Sequence, residues 1–149
     1  ATSIVTGANG YVGREVVQVL LEDNEQSVVC LVRPSRVDAE REYWKSCENV
    51  RVMPYDMLDG GTTIGDAIDS CSSNSPEEIC VYHIASVFGP TEDHVQTAND
   101  NVQGTVDLVH ALGKVPNTRL VLTSSMAAVR GTGQDPLNGK FYTHEDWNT

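Results

Sequence analysis

Thr6-Gly7-Ala8-Asn9-Gly10-Tyr11-Val12-Gly13 is the stretch on which the reading of this chain turns. The apolar run Ser3–Thr6 before it has strand character. Tyr11–Glu22 after it places Val12, Val16, Val19 and Leu20 on one helical face. Three glycines therefore stand between a strand and an amphipathic helix. Gly7 suits a tight turn, Gly10 lets backbone approach a diphosphate, and Gly13 lets the helix pack close on the sheet. The first turn of that helix has N–H groups without helical acceptors, which favours an anion there. Glycines alone only bend a chain; the strand–turn–helix setting points to a dinucleotide. Gly7, Asn9, Gly10, Tyr11, Val12 and Gly13 are thus the candidate cofactor-binding residues of this turn.

Outward from the turn, apolar runs alternate with helical patterns. Ser27–Val32 is continuously apolar and β-branched, as in a strand covered on both faces. Val37–Ser46 is charged and helical in pattern, and Val50–Met53 is a third strand closed by Pro54. Ile64–Cys71 is a short helix, Ser72–Glu78 a loop by composition, and Ile79–Ile84 a fourth strand. His94–Leu112 carries Val95, Val102, Val106, Val109 and Leu112 on one expected face, and Arg119–Thr123 is a fifth strand. Strands separated by helices imply parallel neighbours joined by right-handed crossovers. The expected fold class is α/β, a Rossmann-type doubly wound parallel sheet with five strands present and the remainder of the domain missing. In such sheets ligands sit beyond the carboxyl ends of the strands.

Composition narrows the function. The chain has 149 residues, 10 Lys+Arg against 21 Asp+Glu, and a formal net charge of −11. That balance argues against a phosphate-tracking nucleic-acid binder and against a basic membrane-surface helix. No apolar run reaches the roughly 18–20 residues of a membrane span. Cys30, Cys47, Cys71 and Cys80 form no C-x-x-C pair and no zinc-type spacing; they read as small apolar residues in a reducing compartment. His83, His94, His110 and His144 make no metal-ligand cluster, so no metal is assigned. The chain starts at Ala1 and stops after Glu145-Asp146-Trp147-Asn148-Thr149, which reads as a piece of something longer. Cytoplasmic residence is expected, or an organelle matrix after removal of a transit peptide.

The T-G-x-x-G-x-x-G spacing at Thr6–Gly13 resembles that of the extended short-chain dehydrogenase/reductase superfamily, which includes the NAD-dependent epimerase/dehydratase family. Val81-Tyr82-His83-Ile84-Ala85-Ser86 is similar to its fourth-strand motif, and Asn101-Val102-Gln103-Gly104-Thr105 to its N-x-x-G-T helix. Leu122-Thr123-Ser124-Ser125-Met126-Ala127-Ala128-Val129 resembles its fifth-strand serine motif. The wording H-I-A-S, the serine run and Glu145-Asp146-Trp147-Asn148 look most like the dihydroflavonol-reductase and cinnamoyl-CoA-reductase branch. The resemblance covers the whole chain.

Cofactor choice is read at the end of the second strand. An acidic residue there would bind a ribose 2′-hydroxyl, whereas arginine suits a 2′-phosphate. Twenty positions beyond Gly13 stands Arg33, with Arg36 close behind and no carboxylate at the strand end. NADP is favoured, with NAD the alternative and solvated loop charges the plainer reading. The resemblance implies adenine contact at Asp56 and Met57, where the plainer reading of Asp56 is a turn former. It also implies that Ala85 and Ser86 line the ribose and nicotinamide, while Asn101 ties its helix to the strand loops.

At the reacting end, the resemblance implies hydride transfer to a carbonyl, with a Tyr as general acid, a Lys that lowers its pKa, and a Ser that hydrogen-bonds the oxygen. The free phenol near pKa 10 needs such tuning at neutral pH. The matching Ser is Ser125, with Thr123 and Ser124 beside it as expected cofactor contacts; turn-satisfying hydroxyls are the plainer reading. No Y-x-x-x-K occurs, and Tyr142 is followed four positions on by Asp146. The domain is therefore expected to be partial over 1–149, lacking the Y-x-x-x-K helix and the substrate-binding part. It should hold nucleotide poorly and turn over nothing by itself. The expected function is an NADPH-dependent, dihydroflavonol-reductase-like reductase of a ketone or aldehyde. The alternatives are an NAD-dependent nucleotide-sugar epimerase/dehydratase, or a non-catalytic reductase-like subunit of a larger assembly. The expected partner is a small-molecule carbonyl substrate, with a homodimer or larger assembly open.

Overall fold

The computed structural model describes residues 1–23, 26–72, 78–88, 93–125, 128–130 and 133–147. Strands β1 (Thr2–Thr6), β2 (Ser27–Val32), β3 (Val50–Pro54), β4 (Ile79–His83) and β5 (Thr118–Leu122) alternate with helices. The helices are α1 (Tyr11–Leu21), α2 (Val37–Tyr43), α3 (Thr62–Ser72) and α4 (His94–Leu112). All strand pairs are parallel, in the order β3-β2-β1-β4-β5. The Rossmann-type α/β class is what the alternation of elements implies. Boundaries shift by one to three residues, as helix and strand ends do. The larger shift is at α2, which stops at Tyr43 and is preceded by a 3₁₀ turn over Pro34–Arg36. The expected loop over Ser72–Glu78 lies largely outside the described residues, as do Met126 and Ala127 of the serine motif.

Side chains of adjacent strands alternate between two faces, and each face has its own core. Ile4 on β1 aligns with Val29 on β2 and Val81 on β4, and these pack with Ile64 and Ile68 of α3 and Leu108 and Leu112 of α4. Val5 aligns with Cys30, and these pack on the opposite face with Val17 of α1, Val37 of α2 and Trp44. A fully buried Val or Leu contributes about 1.5–3 kcal/mol relative to exposure. Burial pushes the Cys30 thiol up to about 12, so this cysteine behaves as an inert apolar side chain.

Two helix faces differ from the sequence expectation. In α1 the buried residues are Gly13 and Val17, with Val16, Leu20 and Leu21 packed beside them, while Val12 and Val19 are exposed. In α4 the buried residues are Gly104, Leu108 and Leu112, whereas Val95, Val102, Val106 and Val109 face outward. Small residues explain both rotations. A Cβ at Gly13 would lie 2.2 Å from the Gly7 carbonyl oxygen, and one at Gly104 would lie 2.0 Å from Met57 Cγ. The glycines mark the closest approach of each helix, which hydropathy does not register.

One charged group is buried with the second core. Glu40 of α2 is 1% exposed and accepts from Arg14 of α1 at 2.6 Å; the same guanidinium lies 4.2 Å over the Tyr43 ring. Its second carboxylate oxygen has no partner, nor have Arg14 Nε and Trp44 Nε1. Such pairs fix the relative placement of elements more than they add stability. Here the pair locks α1, which follows the glycine turn, to α2, which follows the arginine turn. No helix among the described residues is long and apolar enough to cross a membrane.

Candidate functional site

The glycine turn is built by its own backbone. Gly7 has φ +67°, and a Cβ there would also come within 3.1 Å of Ala85 backbone atoms. Only glycine meets both conditions without strain. The N–H groups of Gly7 and Ala8 donate to Leu31 O at 3.0 and 3.3 Å, which ties the turn to the end of β2. Gly10 N–H donates to Gly7 O at 2.9 Å, and the α1 ladder then begins with Arg14 N–H to Gly10 O at 3.0 Å. The helix has no side-chain cap and no acidic residue in its first turn. The N–H groups of Tyr11, Val12 and Gly13 are consequently left without helical acceptors, as expected of an anion-binding start.

Around this turn opens a cleft of about 1050 Å³, large even for a cofactor pocket. It gathers Gly7, Asn9, Gly10, Tyr11, Val12 and Gly13 from the turn, Arg33 and Arg36 from the end of β2, Asp56 and Met57 from beyond β3, and Ala85 and Ser86 from beyond β4. Thr123, Ser124 and Ser125 are not among its lining residues. Thr123 N–H donates to His83 O at 3.0 Å, extending the β4–β5 ladder, and all three residues are exposed. Thr123 and Ser124, expected to bind cofactor, and Ser125, expected to hydrogen-bond the substrate oxygen, thus stand apart from the lining of this cleft. They follow β5, one strand beyond the wall that β4 supplies.

One rim of the cleft is cationic, carrying Arg33 and Arg36. Among the described residues, Arg41, Lys45 and Arg119 pair with carboxylates, as does Arg14. Neither Arg33 nor Arg36 does, nor do Arg51, Lys114, Arg130 and Lys140; what sets Arg33 and Arg36 apart is that they line the cleft. The 3₁₀ turn is closed by Arg36 N–H donating to Arg33 O at 2.8 Å, which keeps both side chains at one strand end. Asp56 is a turn former: its Oδ1 accepts from Leu58 N–H at 2.9 Å. Met57 has its side chain against Gly104 of α4 and the first core, so it anchors this loop from behind.

The sequence reading missed Ser35, Tyr55, Leu58, Val87 and Phe88, which also line the cleft. Ser35, Tyr55, Leu58 and Val87 each adjoin a named residue and Phe88 lies two beyond Ser86, so adjacency is the available signal. Tyr55 might look like a catalytic acid, but its phenol is pushed upward, first by burial and then by Asp59, Asp107 and Asp56. A catalytic tyrosine needs the opposite shift. Asp59, also missed, accepts from the N–H groups of Gly61, Thr62 and Thr63 and so begins α3. Farther along, buried Asp146 accepts from Leu137 N–H, Thr143 N–H and Thr143 Oγ1. These bonds hold its carboxyl below the usual range, the two backbone donors most strongly. Tyr142 Oη donates to Gln134 O in the same segment.

A parallel sheet of this order, with a glycine turn after β1 and a cleft across the strand ends, defines a dinucleotide-binding fold. A family model for the NAD dependent epimerase/dehydratase family matches residues 3–148, and the chain belongs to that family. It is 32% identical over 155 residues to an uncharacterized oxidoreductase of Schizosaccharomyces pombe, covering 97% of this chain and 43% of that protein. It is 31% identical over 136 residues to a protein named as a dihydroflavonol 4-reductase in Synechocystis, covering 87% of this chain and 35% of that one. Among solved structures, Gre2 from Candida albicans in complex with NADPH is similar at a TM-score of 0.78 and 25% identity. That likeness covers 99% of this chain and 44% of Gre2. The chain thus spans less than half the length of these relatives.

Proposed function

We propose that this chain is the cofactor-binding part of an NADPH-dependent reductase of a ketone or aldehyde. The observation that carries the proposal is the pair Arg33 and Arg36, unpaired with carboxylates and lining the same cleft as the glycine turn. A guanidinium matches a phosphate in charge and geometry, whereas the NAD-type arrangement calls for a carboxylate at that strand end. The same point weighs against the epimerase alternative within the family. The NADPH bound by Candida Gre2 and the reductase naming of the Synechocystis relative support the assignment.

In this proposal the first turn of α1 holds the diphosphate on backbone N–H groups, and Arg33 and Arg36 hold the 2′-phosphate. Asp56 and Met57 border the adenine, while Ala85 and Ser86 border the nicotinamide side. The nicotinamide, when bound, supplies the hydride chemistry. Ser125 donates a hydrogen bond to the substrate oxygen from the edge of β5. The tyrosine acid and its lysine are assigned to a part of the protein beyond these residues, on the strength of the family resemblance alone.

Titrating the intact protein with NADPH and with NADH, read by nucleotide fluorescence, tests the cofactor half of this proposal. NADPH should bind at least about tenfold tighter, a difference of about 1.4 kcal/mol. Replacing Arg33 and Arg36 together by Ala should bring the two affinities close to each other by weakening NADPH alone. Equal affinities that the double substitution leaves unchanged would contradict the assignment.

A further inference from the structure

We propose that His83 is a positioning residue for the cofactor cleft, a neutral strut joining the ends of β1 and β4 to helix α4. The inference rests on the dinucleotide reading above, and it gives a role to a buried side chain that does not line the cleft. His83 is 3% exposed. Its Nδ1 lies 2.9 Å from Thr6 Oγ1, and its Nε2 lies 3.4 Å from Thr105 Oγ1.

The protons of this chain of bonds can be assigned one by one. Thr6 Oγ1 accepts from Ile84 N–H at 3.1 Å and from Ala85 N–H at 3.0 Å. Both of its lone pairs are then occupied, so its hydroxyl proton must donate. Nδ1 of His83 is the acceptor, which places the ring proton on Nε2, toward Thr105. The Thr105 hydroxyl in turn donates to Asn101 O at 2.8 Å. One tautomer satisfies every group.

The strut matters because of what it holds. Thr6 immediately precedes Gly7, and the N–H groups that Thr6 accepts belong to the loop of Ala85 and Ser86. Asn101, one turn before Thr105, fixes the far end of that loop. Its Oδ1 accepts from Val87 N–H at 2.7 Å, and its Nδ2 donates to Val87 O at 2.9 Å. Gly7 and Ala85 meet so closely that a Cβ on Gly7 would be 3.1 Å from Ala85 N. A shift at His83 therefore moves two walls of the cleft together.

Protonation would break the arrangement. A proton on Nδ1 would face a hydroxyl whose lone pairs are already taken, so the Thr6–His83 bond would be lost. The groups facing the ring are uncharged: Thr6 from β1 and Thr105 from α4, while β5 meets His83 through Thr123 N–H on its backbone oxygen. Burial accordingly lowers the His83 pKa from its ordinary value of 6.5. The folded state keeps the ring neutral, so its stabilising effect is complete above that ordinary value. The effect declines as pH falls from there toward the lowered one.

The test uses the intact protein and its His83→Asn variant. Asn Oδ1 can still accept from Thr6 but cannot take up a proton. Unfolding free energies are compared from about pH 8 to about pH 5, and NADPH dissociation constants at about pH 8. The wild type should lose unfolding free energy below pH 6.5 where the variant does not. At about pH 8 the variant should bind NADPH at least about threefold more weakly, because the shorter Asn replaces the bond to Thr6 but not the one to Thr105. Imidazole ¹⁵N NMR of the unmodified protein should place the neutral ring proton on Nε2. A proton on Nδ1, or a variant that matches the wild type both in NADPH affinity at about pH 8 and in the pH dependence of its stability, overturns the strut. If the wild type binds neither NADPH nor NADH at any pH, the cofactor reading itself has failed, a result separate from the tautomer.

Discussion

Leu31 on β2 and Leu122 on β5 are the same residue type near the carboxyl ends of parallel strands, yet the first is 0% and the second 50% exposed. The same contrast runs through the site. The glycine turn, the arginine turn and the Ala85–Ser86 loop grow from β1, β2 and β4, whose side chains are packed into two cores. Thr123, Ser124 and Ser125 follow β5, which has one strand neighbour among the described residues. The two turns and the loop, proposed to contact nucleotide, thus follow strands with a neighbour on each side, and the proposed hydroxyls follow a strand with one neighbour among the described residues.

Stability measurements can break this contrast most sharply. Leu31→Ala should cost about 2–5 kcal/mol in chemical denaturation, as a fully buried truncation does. Leu122→Ala should cost less than about 1 kcal/mol. Equal costs would mean that β5 is as well packed as β2. Arg14→Met should cost about 3 kcal/mol, because it leaves the Glu40 carboxylate buried without its cation. An unchanged stability would show that the α1–α2 lock carries no weight.

Smaller effects sharpen the comparison within the site. Gly13→Ala should cost about 1–3 kcal/mol from crowding, and NADPH affinity should fall with it. Undiminished affinity would detach the glycine turn from the diphosphate. Below the ordinary Asp pKa, protonation of Asp146 should release the Leu137 and Thr143 amides. Its lowered pKa makes this carboxylate stabilising at higher pH, an effect lost as pH falls through the folded value. Amide chemical shifts of Leu137 and Thr143 would report the midpoint. Least of all, Ser125→Ala should change NADPH affinity by less than about twofold, because this side chain lies outside the cleft.

The order of elements and the gathering of these residues around one cleft are legible because they depend on local signals: apolar β-branched runs, a glycine-spaced turn, and arginines immediately after a strand. Helix orientation is not. Val12 and Val19 in α1, and Val95, Val102, Val106 and Val109 in α4, form apolar stripes that compete with the true contact faces. The winning faces contain Gly13 and Gly104, which allow closer packing than any apolar side chain. Glu40 was equally hidden, since a charge on a charged helix reads as solvated until its partner on another helix is known. His83 was quoted within a motif, but its role depends on Thr6 and Thr105, which lie far from it in the chain and meet it only in the fold.

Amide hydrogen exchange of the intact protein, with and without NADPH, tests the central claim most directly. Protection should rise most at Tyr11, Val12 and Gly13 and along 33–36, and replacing NADPH by NADH should remove the increase at 33–36 while leaving that of the turn. Binding that leaves the amides of Tyr11, Val12 and Gly13 unprotected would contradict the account.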